Sequence, residues 1–323
     1  MPKEMRMIII TVMRRIPSFL ASLGALVLAV GCGSEDSSSP RPSVVVTTSI
    51  LGAVVSDVVG EAAEVTVLVP NGTDPHDWEP SAKDVEAIGQ ADLVVSNGLD
   101  LEEKLVETLE SAEADGVRVF HATDHIEPLN PEGGHDHDEA KESGGAEHDH
   151  EHAEGDPHFW TDPLAMAAVV DALGVELSAL GIDVGDRVER VMTDLRDVDG
   201  VITQLLASLP DDRRVLVTGH ESLGYFAEHY EFELLGSIVP GLTSAADVNA
   251  ADLAELKEAI EATGVSVIFT ELGTPTDVAD ALASETGTRV VELSTHLVPE
   301  DNLYRSFLLN LASDIVTALS ATS

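Results

Sequence analysis

The chain has 323 residues, 44% of them hydrophobic, a net charge of −42 and a single cysteine. That length accommodates two ordinary domains with sizeable cores, and one cysteine excludes an internal disulfide. So large a negative charge repels nucleic acid and anionic lipid and attracts cations without selecting among them.

In chain order, Met13-Arg14-Arg15 precedes an apolar stretch from Phe19 to Val30 that ends at Gly31-Cys32. The stretch is short and ends in small residues, so it reads as an export signal rather than a membrane span. Translation is expected to begin at Met13, leaving residues 1–12 unmade. Pro17 and Ser18 stand where a twin-arginine signal would carry hydrophobic residues, which favours ordinary secretion. The small residue before Cys32 resembles a bacterial lipobox, with Ala29 where leucine is usual. On that reading Cys32 is lipidated and becomes the mature N-terminus. The alternative is an ordinary signal peptide followed by an incidental free cysteine. Removing residues 1–31 leaves a net charge of about −45 by the same counting. Residues 32–42 are polar and Ser/Pro-rich, a tether without a core.

Strand-like and helix-like segments then alternate through an N-terminal lobe expected over 43–182. Strands are read at 44–48, 65–69, 91–96 and 117–120, and helices at 50–59, 81–89 and 101–112. Near-continuous apolar strands alternating with helices predict α/β architecture, a mostly parallel sheet flanked by helices. Residues 131–155 break the pattern with five histidines (His135, His137, His148, His150 and His152), nine acidic residues and almost nothing apolar. No packed core can come from that composition, and His alternating with Asp and Glu suggests a weak auxiliary metal loop.

A helix follows at 164–180. Residues 183–209 form a long amphipathic pattern, a connecting helix stopped by Pro210, in which Gly200 is a point of bending. The C-terminal lobe, 210–323, repeats the alternation. Its strands are read at 214–218, 232–235, 265–270 and 289–293, and its helices at 222–230, 251–262, 276–286 and 303–319.

Four histidines, His76, His158, His220 and His296, each follow a short apolar run or precede a helix, two in each half. Ligands of open α/β sheets bind beyond the carboxyl ends of the strands, and imidazole is the commonest metal ligand near neutral pH. The pattern predicts one metal held between two lobes. His121, His125 and His229 carry no motif and read as surface or capping residues. Trp78 and Trp160 read as packing around the site.

The motifs resemble those of the metal-binding solute receptors of bacterial ABC importers, the cluster A-I family that carries zinc or manganese. Asp74-Pro75-His76-Asp77-Trp78-Glu79-Pro80 is similar to the family's first-ligand pattern, and Asp156 to Pro163 repeats its D-P-H-x-W-x-D-P pattern in full. Thr218-Gly219-His220, Gly241 to Ser244 and Ile268 to Glu271 match three further family loops. The likeness spans roughly 43 to 320. It implies two lobes joined by one long helix, little lobe closure, metal-binding histidines at 76, 158 and 220, and delivery of metal to a membrane permease. The fourth ligand of that family is usually a carboxylate. His296 falls at its position here, with Glu292 and Glu271 as alternatives. Four imidazoles suit tetrahedral Zn2+, whereas manganese prefers oxygen. The expectation is therefore a monomeric, lipid-anchored, extracytoplasmic zinc receptor rather than an enzyme. The alternatives are a manganese or other divalent-metal receptor, a zinc-dependent hydrolase, or a surface adhesin or metal buffer.

Overall fold

The computed structural model describes residues 41–130 and 155–321. The export segment, Cys32, most of the tether and the five histidines of the His-rich run lie outside the described residues.

In the first half, β1 (Ser43–Val46), β2 (Glu64–Val67), β3 (Leu93–Ser96) and β4 (Val119–His121) form one parallel sheet in the order β2-β1-β3-β4. The crossovers run through α1 (Ser49–Val59), α2 (Ala82–Gln90) and α3 (Val106–Ala114). The pleat explains why these strands read as unbroken apolar runs. Val44 and Val46 of β1 enter the main core, while Val45 faces a smaller cluster with Leu68, Ile88 and Leu105. Leu93, Val94 and Val95 of β3 divide in the same way. Strand β2 is shorter and wetter than its apolar run suggests. It is the sheet's edge, and only Leu68 and Val69, beyond its ladder, are buried. Helix α3 begins later than expected because Leu99 and Asp100 take positive φ and a 3₁₀ turn intervenes at Glu103–Leu105.

Helix α4 (Pro163–Ala179) starts cleanly. The Asp162 carboxylate accepts a hydrogen bond from the Leu164 amide at 2.7 Å, and Pro163 fills the first position. The connecting helix α5 (Arg187–Leu206) is shorter than the 183–209 pattern because Gly185, at φ 56°, turns the chain before it. It passes Gly200 without interruption. Leu195, Val198, Ile202 and Leu206 lie at helical spacing on its buried face.

The second half is built differently. Strands β5 (Val215–Thr218) and β6 (Glu233–Ser237) form one parallel pair, and β7 (Val267–Thr270) and β8 (Arg289–Glu292) another. β5 lies beside β7, but among the described residues no ladder joins the pairs. The predicted sheet is thus two adjacent ladders. Helices α6 (Gly224–His229), α7 (Ala250–Thr263) and α8 (Thr276–Thr286) pack on these strands, and α9 (Tyr304–Ser320) packs on α5 and α1. The strands again alternate: Leu216, Val267 and Phe269 face the main core, and Val217 and Ile268 face a cluster under α7 and α8.

That main core is shared. It runs from Val44 and Val46 through Phe159 and Val198 to Phe269 and Leu311, and α5 packs against α1, α4 and α9. Two α/β halves resting on one hydrophobic cluster cannot part without exposing it to water.

Candidate metal centre

His76 lies in the loop between β2 and α2. Asp74 holds that loop, accepting from the His76 amide at 3.0 Å through one oxygen and from the Ser244 hydroxyl at 2.6 Å through the other. The Gly241–Ser244 loop of the second half is thereby tied to the first ligand loop. Asn71 adds a two-way amide clasp to the backbone of Val298, each bond 2.8 Å.

His158 precedes a 3₁₀ turn at Phe159–Thr161 that leads into α4. Its amide donates to Asp156 Oδ1 at 2.8 Å, and its Nδ1 lies 2.7 Å from the same oxygen. Asp156 is itself buried, and the first turn of α6 passes so close that a side chain at Gly224 would strike its carboxylate. His220 follows β5 directly. A side chain at Gly219 would collide with Thr274 and Glu271, so glycine is what lets the Thr218-Gly219-His220 turn run against that wall.

These three loops bring three imidazoles together. Nε2 of His158 stands 3.3 Å from Nε2 of His76 and 3.3 Å from Nε2 of His220. Their ligand atoms all lie within 4.8 Å of one another, positioned to hold a single ion. The side chains are 2%, 0% and 1% exposed, so the cluster is closed to bulk water.

Behind each ring stands a carboxylate. Asp156 faces His158 Nδ1 at hydrogen-bond distance, fixing a tautomer that leaves the Nε2 lone pair inward. Glu271 Oε2 is 3.6 Å from His220 Nδ1, and Glu103 Oε1 is 3.6 Å from His76 Nδ1. Those two distances give attraction but exceed a hydrogen bond, and among the described residues neither Nδ1 has a hydrogen-bond partner. Glu271 is held in place by Ser222, which donates to its Oε1 at 2.9 Å.

His296 is buried beside the cluster but outside the group of three. Its Nδ1 is 3.0 Å from the Thr295 hydroxyl, and its Nε2 has no partner. Of the two alternative carboxylates, Glu271 backs His220 from the side away from the cluster, and Glu292 is exposed at the end of β8. Trp160 packs edge-on against His158 and His296, with centroids 5.2 and 5.5 Å away, and donates its indole N–H to the Thr295 carbonyl. Trp78 instead packs against the smaller core of the first half.

Burial holds the His158 pKa well below the ordinary imidazole range, with the charges of His220 and His76 acting in the same direction. His296 is lowered well for the same leading reason. Burial also pushes Asp156 up to about 7, against the His158 amide bond and the charge of His220. Burial therefore keeps His158 and His296 neutral, the state that ligates metal.

The remaining histidines divide. His125 stacks on Phe120, and His121 bonds Ser96 and Glu113. His229 is neither a free surface residue nor a simple cap, because its two ring nitrogens meet two different carboxylates. No motif surrounds it, and its partners come from distant segments, so only the fold reveals it.

Two α/β halves on a common core, with three buried imidazoles from both of them gathered at their junction, define a two-lobed metal-binding protein. The sequence profile of the family described as zinc-uptake complex component A, periplasmic (ZnuA), matches residues 44–318, and the chain belongs to that family. It is 30% identical over 271 residues to the zinc-binding protein TroA of Treponema pallidum, covering 80% of this chain and 82% of that one. It is also 30% identical over 228 residues to the manganese-binding lipoprotein MntA of Halalkalibacterium halodurans, covering 68% and 69%. The solved structure of the Treponema pallidum periplasmic zinc-binding protein TroA superimposes with a TM-score of 0.71 at 28% identity, covering 86% of this chain and 99% of that one.

Proposed function

We propose that this protein is an extracytoplasmic receptor that captures Zn2+ on His76, His158, His220 and His296 and passes it to the membrane permease of an ABC importer. The observation that carries this reading is the convergence of three imidazole nitrogens within 4.8 Å in a buried pocket fed by both halves of the chain. His296 is the fourth donor on this reading, because a buried nitrogen without a partner is costly and the three imidazoles are its neighbours. Four neutral nitrogens favour tetrahedral zinc, and the carboxylates behind three of them balance the ion's charge without occupying its coordination sphere. Manganese, named for one relative, gains more from oxygen donors, and those carboxylates lie behind the rings.

The role is binding rather than catalysis, since four imidazoles close the shell and leave no position for the water a hydrolase activates. Cys32 serves as the lipid anchor of a monomer, and His135, His137, His148, His150 and His152 gather metal weakly outside the main site.

Equilibrium dialysis tests this directly. One zinc should bind tightly per chain and several more weakly. Deleting 131–155 should remove the weak ones only; loss of the tight one would overturn the ligand assignment. His296→Asp should raise the affinity for manganese relative to zinc, and unchanged selectivity would exclude His296 as a ligand.

A further inference from the structure

His229 ends α6 at a point where three elements meet. Its Nδ1 is 2.8 Å from Oδ1 of Asp162, the cap of α4, and its Nε2 is 2.9 Å from Oδ1 of Asp199 on α5. The Tyr230 hydroxyl donates to that same Asp199 oxygen at 3.1 Å. A neutral imidazole has one N–H and can satisfy one carboxylate, whereas an imidazolium donates to both. The other charged groups facing His229 across the adjoining cleft are Glu127, from the first half, and Glu228 on α6, both acidic. Among the described residues, the charges that face the ring thus favour its cationic form. Its pKa is raised, first by the hydrogen bond to Asp162, with burial opposing.

Placement gives this contact its consequence. Asp162 closes the turn that begins at His158, and α6 begins just after the turn that carries His220. Both are pinned through one ring to the helix that connects the halves.

We propose that His229, as an imidazolium bridging Asp162 and Asp199, is a positioning residue that holds the His158 and His220 segments in register. Metal retention then depends on the charge of a histidine that does not touch the ion. The ion's identity rests on the zinc-receptor reading; the latch itself does not. Because folding raises the His229 pKa, the latch is complete below the ordinary imidazole value of about 6.5 and is lost as pH rises through the raised value. That is opposite in sign to acid release of metal by the ligands.

The test is zinc dissociation into excess chelator from the full chain, with each variant compared to wild type at the same pH from about 6.5 to about 9. At the acid end, H229Q and D199N should release zinc roughly fivefold faster than wild type, less than the 10- to 100-fold typical of groups touching a ligand. That ratio should shrink toward one as pH rises and wild type loses its own latch. H229K, whose ammonium stays charged, should match wild type at the acid end and become the slower of the two at the alkaline end. An H229Q ratio of one at every pH overturns the proposal. A metal-free measurement covers variants that fold poorly: the melting temperature of wild type should fall relative to H229K as pH rises, and parallel profiles overturn the latch. A chain that binds no zinc but shows the diverging melts would sink the receptor reading alone.

Discussion

The two halves of the molecule support their histidines with unequal rigidity. In the first half, a continuous four-stranded sheet is tied to the His158 segment by Asn97, just past β3, which donates to the Pro157 carbonyl at 2.9 Å, and Asp156 grips His158 through both its amide and its Nδ1. In the second, the strands form two ladders with a register shift at Leu216/Val217, and Glu271 stands 3.6 Å behind His220. His296 has only a hydroxyl behind it. The first half thus presents one preset donor, His158, beside a looser one, His76, with Glu103 3.6 Å behind it, while the second presents only the looser kind. A site made from one fixed donor and several adjustable ones can close its shell around an ion by small side-chain movements, without the halves separating.

The comparison breaks most sharply at His158, which faces both of its neighbours. His158→Ala should weaken zinc by at least about a thousandfold, or ~4 kcal/mol, in a chelator competition titration; retention of tight binding would mean the three rings do not share an ion. Next comes Asp156→Asn. An amide in that place can donate to Nδ1 and favour the tautomer that cannot ligate, so affinity should fall roughly 10- to 100-fold.

Glu271→Gln is the matching change in the second half, and its longer contact predicts a smaller loss, under about tenfold. Equal losses from the two substitutions would remove the asymmetry. The smallest effect is a displacement along the pH axis. Protons compete with zinc for Nε2, and burial delays that competition at His158 and His296. On the acid side, proton competition at His158 and His296 should therefore set in as pH drops through their lowered values, with half-release below about 6.5, the value for free imidazole. Half-release at or above it, measured by zinc retention across a pH series, would contradict the burial argument.

Local pattern already specified much of this. Apolar runs alternating with amphipathic segments placed nearly every strand and helix, because a buried strand and a half-buried helix leave different periodicities. The motif around Asp156 to Pro163 marked His158, since proline, aspartate and aromatic neighbours create a stiff local turn whatever lies beyond it. The boundaries that slipped, at α3, α5 and α6, are those set by turns with positive φ or by the close passage of another segment.

What the chain determined by itself was its α/β alternation, its shared apolar inventory and the turns carrying His76, His158 and His220. Only the tertiary structure decided that those three rings meet, that Glu271 stands behind His220 and not beside the ion, and that His229 joins Asp162 to Asp199. The reason is physical. Turn and helix preferences act over a few neighbouring residues, whereas a contact between segments far apart in sequence exists only once a common core has closed the loops between them.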